Sequence, residues 1–136
     1  MVSTRRGKKQ LDPLVFLVDR SISNDIPKVL NARGFDAYSL ADLYGERKAQ
    51  YVPDPRWIRR SANEGWVGLT RDELWPWRTI IREHRARIFR VARAAKNSRQ
   101  QCEFLWDNLS RIELYARKPG PYICRVDAGS LALVWS

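Results

Sequence analysis

The stretch Leu14–Arg20, LVFLVDR, constrains the fold more than any other part of the chain. A short apolar run bounded by turn signals reads as a strand buried on both faces, although a buried helix segment gives the same pattern. Pro13 precedes the run, and Asp19 stands where the strand would end. Ligands of open parallel sheets bind outside the carboxyl ends of the strands. Asp19 is therefore a candidate site residue. Trp66–Asp72, WVGLTRD, repeats the arrangement, with apolar residues leading into Asp72. Two carboxylates on two such strand ends would converge on one crevice.

The intervening segments read as strand–helix units. After the first strand, Asp25 is expected to cap a helix with Pro27 in its first turn, and Gly34 to close it. Ile26, Val29 and Leu30 form its apolar face. Phe35–Leu40 reads as a second strand, which makes a β-α-β unit with parallel strands and a right-handed crossover. Asp42–Pro53 has no clean period and is expected to be a loop or a short helix. Asp54, between Pro53 and Pro55, reads as the N-cap of a helix with proline at its first position, ending at Gly65.

Beyond the break at Pro76, Trp77, Ile80, Ile81 and His84 share one helical face, so His84 reads as a packed histidine rather than a catalytic base. Ile88–Val91 is a fourth strand. Ser98 and Gln101 form a capping-box pattern ahead of a helix whose face carries Cys102, Leu105, Trp106, Leu109 and Ile112. After Pro119-Gly120-Pro121, Tyr122–Val126 and Leu131–Trp135 are expected to pair as a hairpin. Leu131–Trp135 reads as an ordinary buried strand; the alternative is an exposed apolar end used for association.

Length supports one domain over 13–136, preceded by a flexible basic tail over 1–12, either inert or a nucleic-acid arm. No apolar run reaches the length of a membrane span or forms a signal-peptide core, so a cytoplasmic protein is expected. Cys102 and Cys124 lack metal-site spacing and read as two buried reduced thiols.

The net charge of +10 calls for a polyanionic partner. Basic residues dominate Arg78–Arg99, where Glu83 is the one acid. The acids that could act together lie earlier: Asp19, Glu46, Asp54 and Asp72. Crowded carboxylates repel one another unless a cation neutralises them. Magnesium takes hard oxygen ligands, commonly one or two carboxylates together with waters and substrate phosphates. Such a cluster inside a basic protein suits metal-assisted chemistry on phosphodiesters. No Ser–His or Cys–His pair and no glycine-rich phosphate loop competes with this reading. Each acid also has a plainer use, as a helix cap or a solvated loop residue.

The succession LVFLVDRSIS, NARGFDAYSL, YGER, VPDPRWI, NEGWVGLTRDELW and PGPYICRV resembles the PIN-like proteins, and in particular the VapC-type toxins. The resemblance implies a three-layer α/β/α sandwich with a mostly parallel central sheet. It also implies endoribonuclease activity on RNA, an acidic pocket for Mg2+ or Mn2+, a cognate antitoxin and a possible homodimer. Carried over residue by residue, it places metal-binding and catalytic roles on Asp19, Asp54 and Asp72, with Thr70 orienting Asp72. Glu46, in the G-E-R pattern, joins the catalytic set. Arg20, Thr70, Arg82 and Arg85 are the expected contacts to the RNA backbone.

The chain departs from the family pattern in two places. It lacks a clear further acid downstream, where Glu73 and Asp107 are the candidates, and Pro55-Arg56 stands where related sequences often carry acids. A non-catalytic RNA-binding or regulatory PIN-like domain is the alternative function. Phosphoryl transfer to a strand-end aspartate is a third class, disfavoured by the high positive charge and by the absence of a well-placed lysine after a later strand.

Overall fold

The computed structural model describes residues 13–136, so the tail expected over 1–12 lies outside the described residues. The chain runs β1 (Val15–Val18), α1 (Asp25–Ala32), β2 (Asp36–Ser39), α2 (Leu40–Tyr44), α3 (Glu46–Ala49), α4 (Asp54–Asn63) and β3 (Val67–Thr70). A 3-10 turn at Trp75–Trp77 then leads into α5 (Arg78–His84), β4 (Arg87–Val91), α6 (Ser98–Tyr115), β5 (Tyr122–Asp127) and β6 (Ser130–Trp135). The strands form one sheet in the order β2-β1-β3-β4-β5-β6. The first five are parallel, and β6 turns back antiparallel to β5.

Alternation along the strands divides the core into two layers. Phe16, Val18, Leu69, Phe89 and Val91 face α1 and α6, where Ile26, Leu30, Leu105 and Ile112 pack. Leu17, Ile88 and Ile123 face the other side, where Trp57, Ile58 and Ile81 pack. Both faces of the sheet are therefore covered, which is why its central strands are nearly continuous apolar runs. The result is the expected α/β/α sandwich.

Helix ends fix the crossovers. At the end of α1, Gly34 N–H donates to Asn31 O at 3.0 Å and Phe35 N–H to Leu30 O at 3.0 Å. This is a Schellman closure with Gly34 at positive φ. Gly65 and Trp66 close α4 the same way, onto Ala62 O and Ser61 O. At α5 the left-handed position falls on Arg85, with φ of 56°. A non-glycine side chain there costs roughly 1–2 kcal/mol, partly balanced by the smaller entropy of its unfolded chain. Arg85→Gly is therefore expected to stabilise the protein by about 0.5 kcal/mol, read as a higher urea midpoint.

Several expected boundaries move. Asn24, not Asp25, occupies the N-cap of α1, and Asp25 is its first helical residue. The stretch 42–53 holds parts of two short helices; Ser39 and Asp42 form a capping box at the start of α2. The pattern at Ser98 and Gln101 does not cap α6. Asn97 does so, accepting from Gln100 N–H at 2.9 Å. Ser98 and Gln101 instead hold Ser23, through a hydroxyl–hydroxyl contact and through Ser23 N–H donating to Gln101 Oε1 at 2.8 Å. β6 is not a buried strand. It is the sheet edge, and Leu133 is 51% exposed. Both cysteines are free, with Cys124 buried and Cys102 only half-buried.

Candidate metal centre

The strand order reverses direction at β1, with β2 on one side and β3 on the other. Such a switch point leaves a crevice outside the carboxyl ends of the two diverging strands. Asp19 follows β1 and Asp72 follows β3, so both stand at this crevice. Asp54 arrives from a third direction. The helix α4 leads into β3, and its first turn lies at the carboxyl end of the sheet. Asp19, Asp54 and Asp72 each offer a carboxylate oxygen, and these oxygens all lie within 4.8 Å of one another.

Each carboxylate is held by a different device. Asp19 is buried, and its own N–H donates to Leu69 O at 2.9 Å, which pins the end of β1 to β3. Ser21 Oγ donates to Asp19 Oδ2 at 2.7 Å, Thr70 Oγ1 donates to the same oxygen at 2.9 Å, and Arg20 N–H donates to Oδ1 at 2.8 Å. Thr70 Oγ1 also accepts Asp72 N–H at 3.0 Å, so one buried hydroxyl sets both strand-end aspartates. Ser21 Oγ in turn accepts Arg71 N–H at 2.9 Å.

Asp54 is not the N-cap of α4; Pro53 is, and Asp54 is the first helical residue. Its carboxylate makes no cap bond and accepts two indole N–H groups instead. Trp57 Nε1 donates to Oδ1 at 2.9 Å and Trp77 Nε1 to Oδ2 at 3.2 Å. Trp57 is fully buried, and it fits because β3 carries Gly68. A Cβ at Gly68 would lie 2.8 Å from Trp57 Cζ3 and 2.9 Å from Ile88 Cδ1.

These donors orient the acids without neutralising them. The described ion pairs are Arg60–Glu64, Arg90–Glu73 and Arg125–Asp127, and none includes the three aspartates. That is notable in a chain with 25 Lys and Arg against 15 Asp and Glu. Burial pushes the Asp19 carboxyl above its ordinary value, Asp72 and Asp54 push it further, and the Ser21 and Thr70 hydroxyls oppose them. A carboxylate offers about four acceptor sites, and hydrogen bonds to Asp19 and Asp54 leave acceptor positions open. Three hard oxygen donors with spare lone pairs, and no cationic partner among the described residues, could hold a metal ion.

A family model described as a PIN like domain matches residues 14–93, the part of the chain that contains all three aspartates. The chain belongs to the PIN-like domain family. A protein of Mycobacterium tuberculosis (strain ATCC 25618 / H37Rv), named "Putative ribonuclease VapC45", is 33% identical over 123 residues, covering 86% of this chain and 88% of the relative. No solved structure matches the chain.

The other expected site residues of this PIN-like domain spread more widely. Glu46 opens α3, exposed, outside the cluster of three. It lines a cleft of about 690 Å3 that begins at Asp19 and also takes in Arg20, Lys28, Asp42 and Gln50. The guanidinium of Arg20 donates to the carbonyls of Gln50 and, at 3.4 Å, Ala49, so it ties the end of β1 to α3. Thr70 is fully buried and engaged with the aspartates rather than facing solvent.

Arg85 precedes β4 and therefore lies at the amino end of the parallel strands, opposite the carboxylates. Arg82 stacks on Trp135, whose neighbour in the sheet is Ile123 near the start of β5. The structure thus brings neither arginine to the aspartates. Three contributors escaped the reading of the sequence: Ser21, Trp57 and Trp77. Ser21 had a local signal, two positions after Asp19 in VDRS. The indoles had none, since their spacing reads only as apolar.

Proposed function

We propose that this PIN-like protein is a metal-dependent endoribonuclease and the toxin of a toxin–antitoxin pair. One observation carries the reading: in a strongly basic chain, the carboxylates that three separate elements bring together are ones with no cationic partner among the described residues. The named relative, a "Putative ribonuclease", supports the same activity. Asp19, Asp54 and Asp72 would hold the cation, Mg2+ in the first instance and Mn2+ as a substitute. A bound divalent cation supplies Lewis-acid polarisation of a phosphodiester and hydroxide near neutral pH.

The chain's own groups do the rest. Ser21 and Thr70 keep Asp19 in one rotamer, Thr70 places Asp72 through its N–H, and two indoles fix Asp54. Glu46 stands on the cleft wall, where it can act on substrate without joining the cluster. Arg20 borders the same cleft and is the proposed backbone contact beside the centre. Arg82 and Arg85 could touch only a distant part of a longer RNA. We also propose that the domain spans 13–136 with the basic tail over 1–12 as an RNA arm, and that the protein works in the cytoplasm. In this reading an acidic antitoxin covers the centre, and the β6 edge with its exposed Leu133 is the place for a homodimer.

The test is cleavage of a mixed RNA pool by purified protein with Mg2+, Mn2+ or EDTA, beside thermal unfolding under the same conditions. Cutting should require metal. The metal should also raise the unfolding temperature, by about 2.7 kcal/mol of added stability at a hundredfold excess over Kd. Cutting that persists in EDTA sinks the metal assignment. Salt-sensitive RNA binding without cutting in either metal would favour the non-catalytic binding domain.

A further inference from the structure

Resting on that nuclease reading, we propose that Tyr51 is a stacking platform for an RNA base next to the scissile phosphate. Tyr51 is 77% exposed, more than any other large apolar side chain among the described residues. Other surface aromatics are occupied. Tyr38 stacks on Trp66 with ring centroids 5.1 Å apart, and Tyr44, Trp75, Trp106, Tyr115 and Trp135 each carry a cation over the ring. Among the described residues, none stacks on Tyr51 and none accepts from its hydroxyl.

The backbone beneath this free ring is fixed. Tyr51 N–H donates to Lys48 O at 2.9 Å. The Arg20 guanidinium holds the carbonyls of Ala49 and Gln50. Val52, the next residue, is buried in the core. The position is also close to the chemistry. Three peptide units separate Tyr51 from Asp54, so their Cα atoms lie within about 11 Å. Asp54 in turn has an oxygen within 4.8 Å of Asp19 and Asp72.

A solvated aromatic on a tethered backbone, three residues from a member of the acidic cluster, is what a single-stranded nucleic acid can use: bases stack on such rings with little sequence preference. Arg20, which ties the loop bearing Tyr51 to the strand bearing Asp19, is then a positioning residue for this platform.

The experiment compares wild type with Tyr51→Ala, Tyr51→Phe and Tyr51→Trp on a single-stranded RNA oligonucleotide whose cut position has been mapped. A companion series carries one abasic nucleotide at successive positions around the cut. Tyr51→Ala should raise KM about 5- to 100-fold with kcat little changed, and Phe or Trp should restore it. One abasic position should reproduce the loss and add nothing to it in the Tyr51→Ala background. The unfolding temperature should not change, because the ring is solvated.

Unchanged KM in Tyr51→Ala, or abasic effects that simply add to it, overturn the proposal while leaving the nuclease reading intact. So does the loss of a co-purifying protein inhibitor with unchanged KM, which would assign the ring to a protein contact. Failure of the wild type to cut or bind the oligonucleotide brings down the nuclease reading and this proposal with it.

Discussion

Asp19→Asn should lower the turnover of RNA by more than about 100-fold, a larger loss than removing a supporting residue around a metal ligand commonly brings. The substitution keeps the volume and most of the hydrogen bonds but removes one of three crowded charges. Stability separates this loss from misfolding. Burial and the two neighbouring aspartates raise the carboxyl of Asp19 in the folded protein. An acid whose folded pKa is raised costs stability above that pKa. The cost disappears as pH falls below the unfolded value. In EDTA at neutral pH, Asp19→Asn should therefore unfold at a temperature no lower than wild type, with any advantage shrinking toward acidic pH. Added Mg2+ should stabilise the wild type and leave the variant unmoved. A variant that unfolds well below wild type in EDTA, or that keeps the response to Mg2+, would contradict the placement of Asp19 as a ligand.

The second large effect is expected at Trp57, far from solvent. Trp57→Ala removes a fully buried indole from the layer it shares with Ile58 and Ile81 and should cost about 3–5 kcal/mol in urea unfolding. Trp57→Phe isolates the functional part. The ring largely fills the pocket above Gly68, but Asp54 Oδ1 loses its donor at 2.9 Å. That variant should remain folded, lose far less stability than Trp57→Ala, and still cut RNA about 10- to 100-fold more slowly, as expected for a group orienting a metal ligand. Wild-type turnover in Trp57→Phe would show that the indole serves packing alone.

The contrast between Asp19 and Asp54 shows what a linear reading could and could not reach. An aspartate following five apolar residues is a local signal, and β1 and β3 proved to be neighbours in the sheet, with Phe16 opposite Val67. The pair Asp19 and Asp72 followed from that. Asp54 had two readings, a helix cap because Pro-Asp-Pro is a strong helix-start pattern and a metal ligand by family resemblance; the structure removes the first and sets its carboxylate beside the other two. Its actual partners are indoles, and Trp77 reaches it across 23 positions of sequence, a contact no local pattern records.

Ser98 and Gln101 failed in the opposite direction. Their spacing satisfied a capping rule that Asn97 satisfied one residue earlier, and the freed side chains were recruited by Ser23. Arg85 was an expected RNA contact within the basic stretch Arg78–Arg99. Whether a residue of that stretch lies at the carboxyl or the amino end of the sheet depends on strand direction, which charge spacing does not encode. The edge position of β6 was open to the same uncertainty, since an apolar run does not say whether a further strand will cover it.

The three carboxylates come from positions 19, 54 and 72, on elements that meet only after β1 has paired with a strand some fifty residues further along. Closing contacts of that sequence separation is entropically slow, and nothing local prepares it. A nascent or partly opened chain consequently has no weakened version of the centre: one aspartate alone on a loose strand end holds no cation. Catalytic competence should therefore appear no earlier than the global folding transition. Detachment of α4 alone, carrying Asp54 away, would disarm the molecule while most of its sheet remained intact.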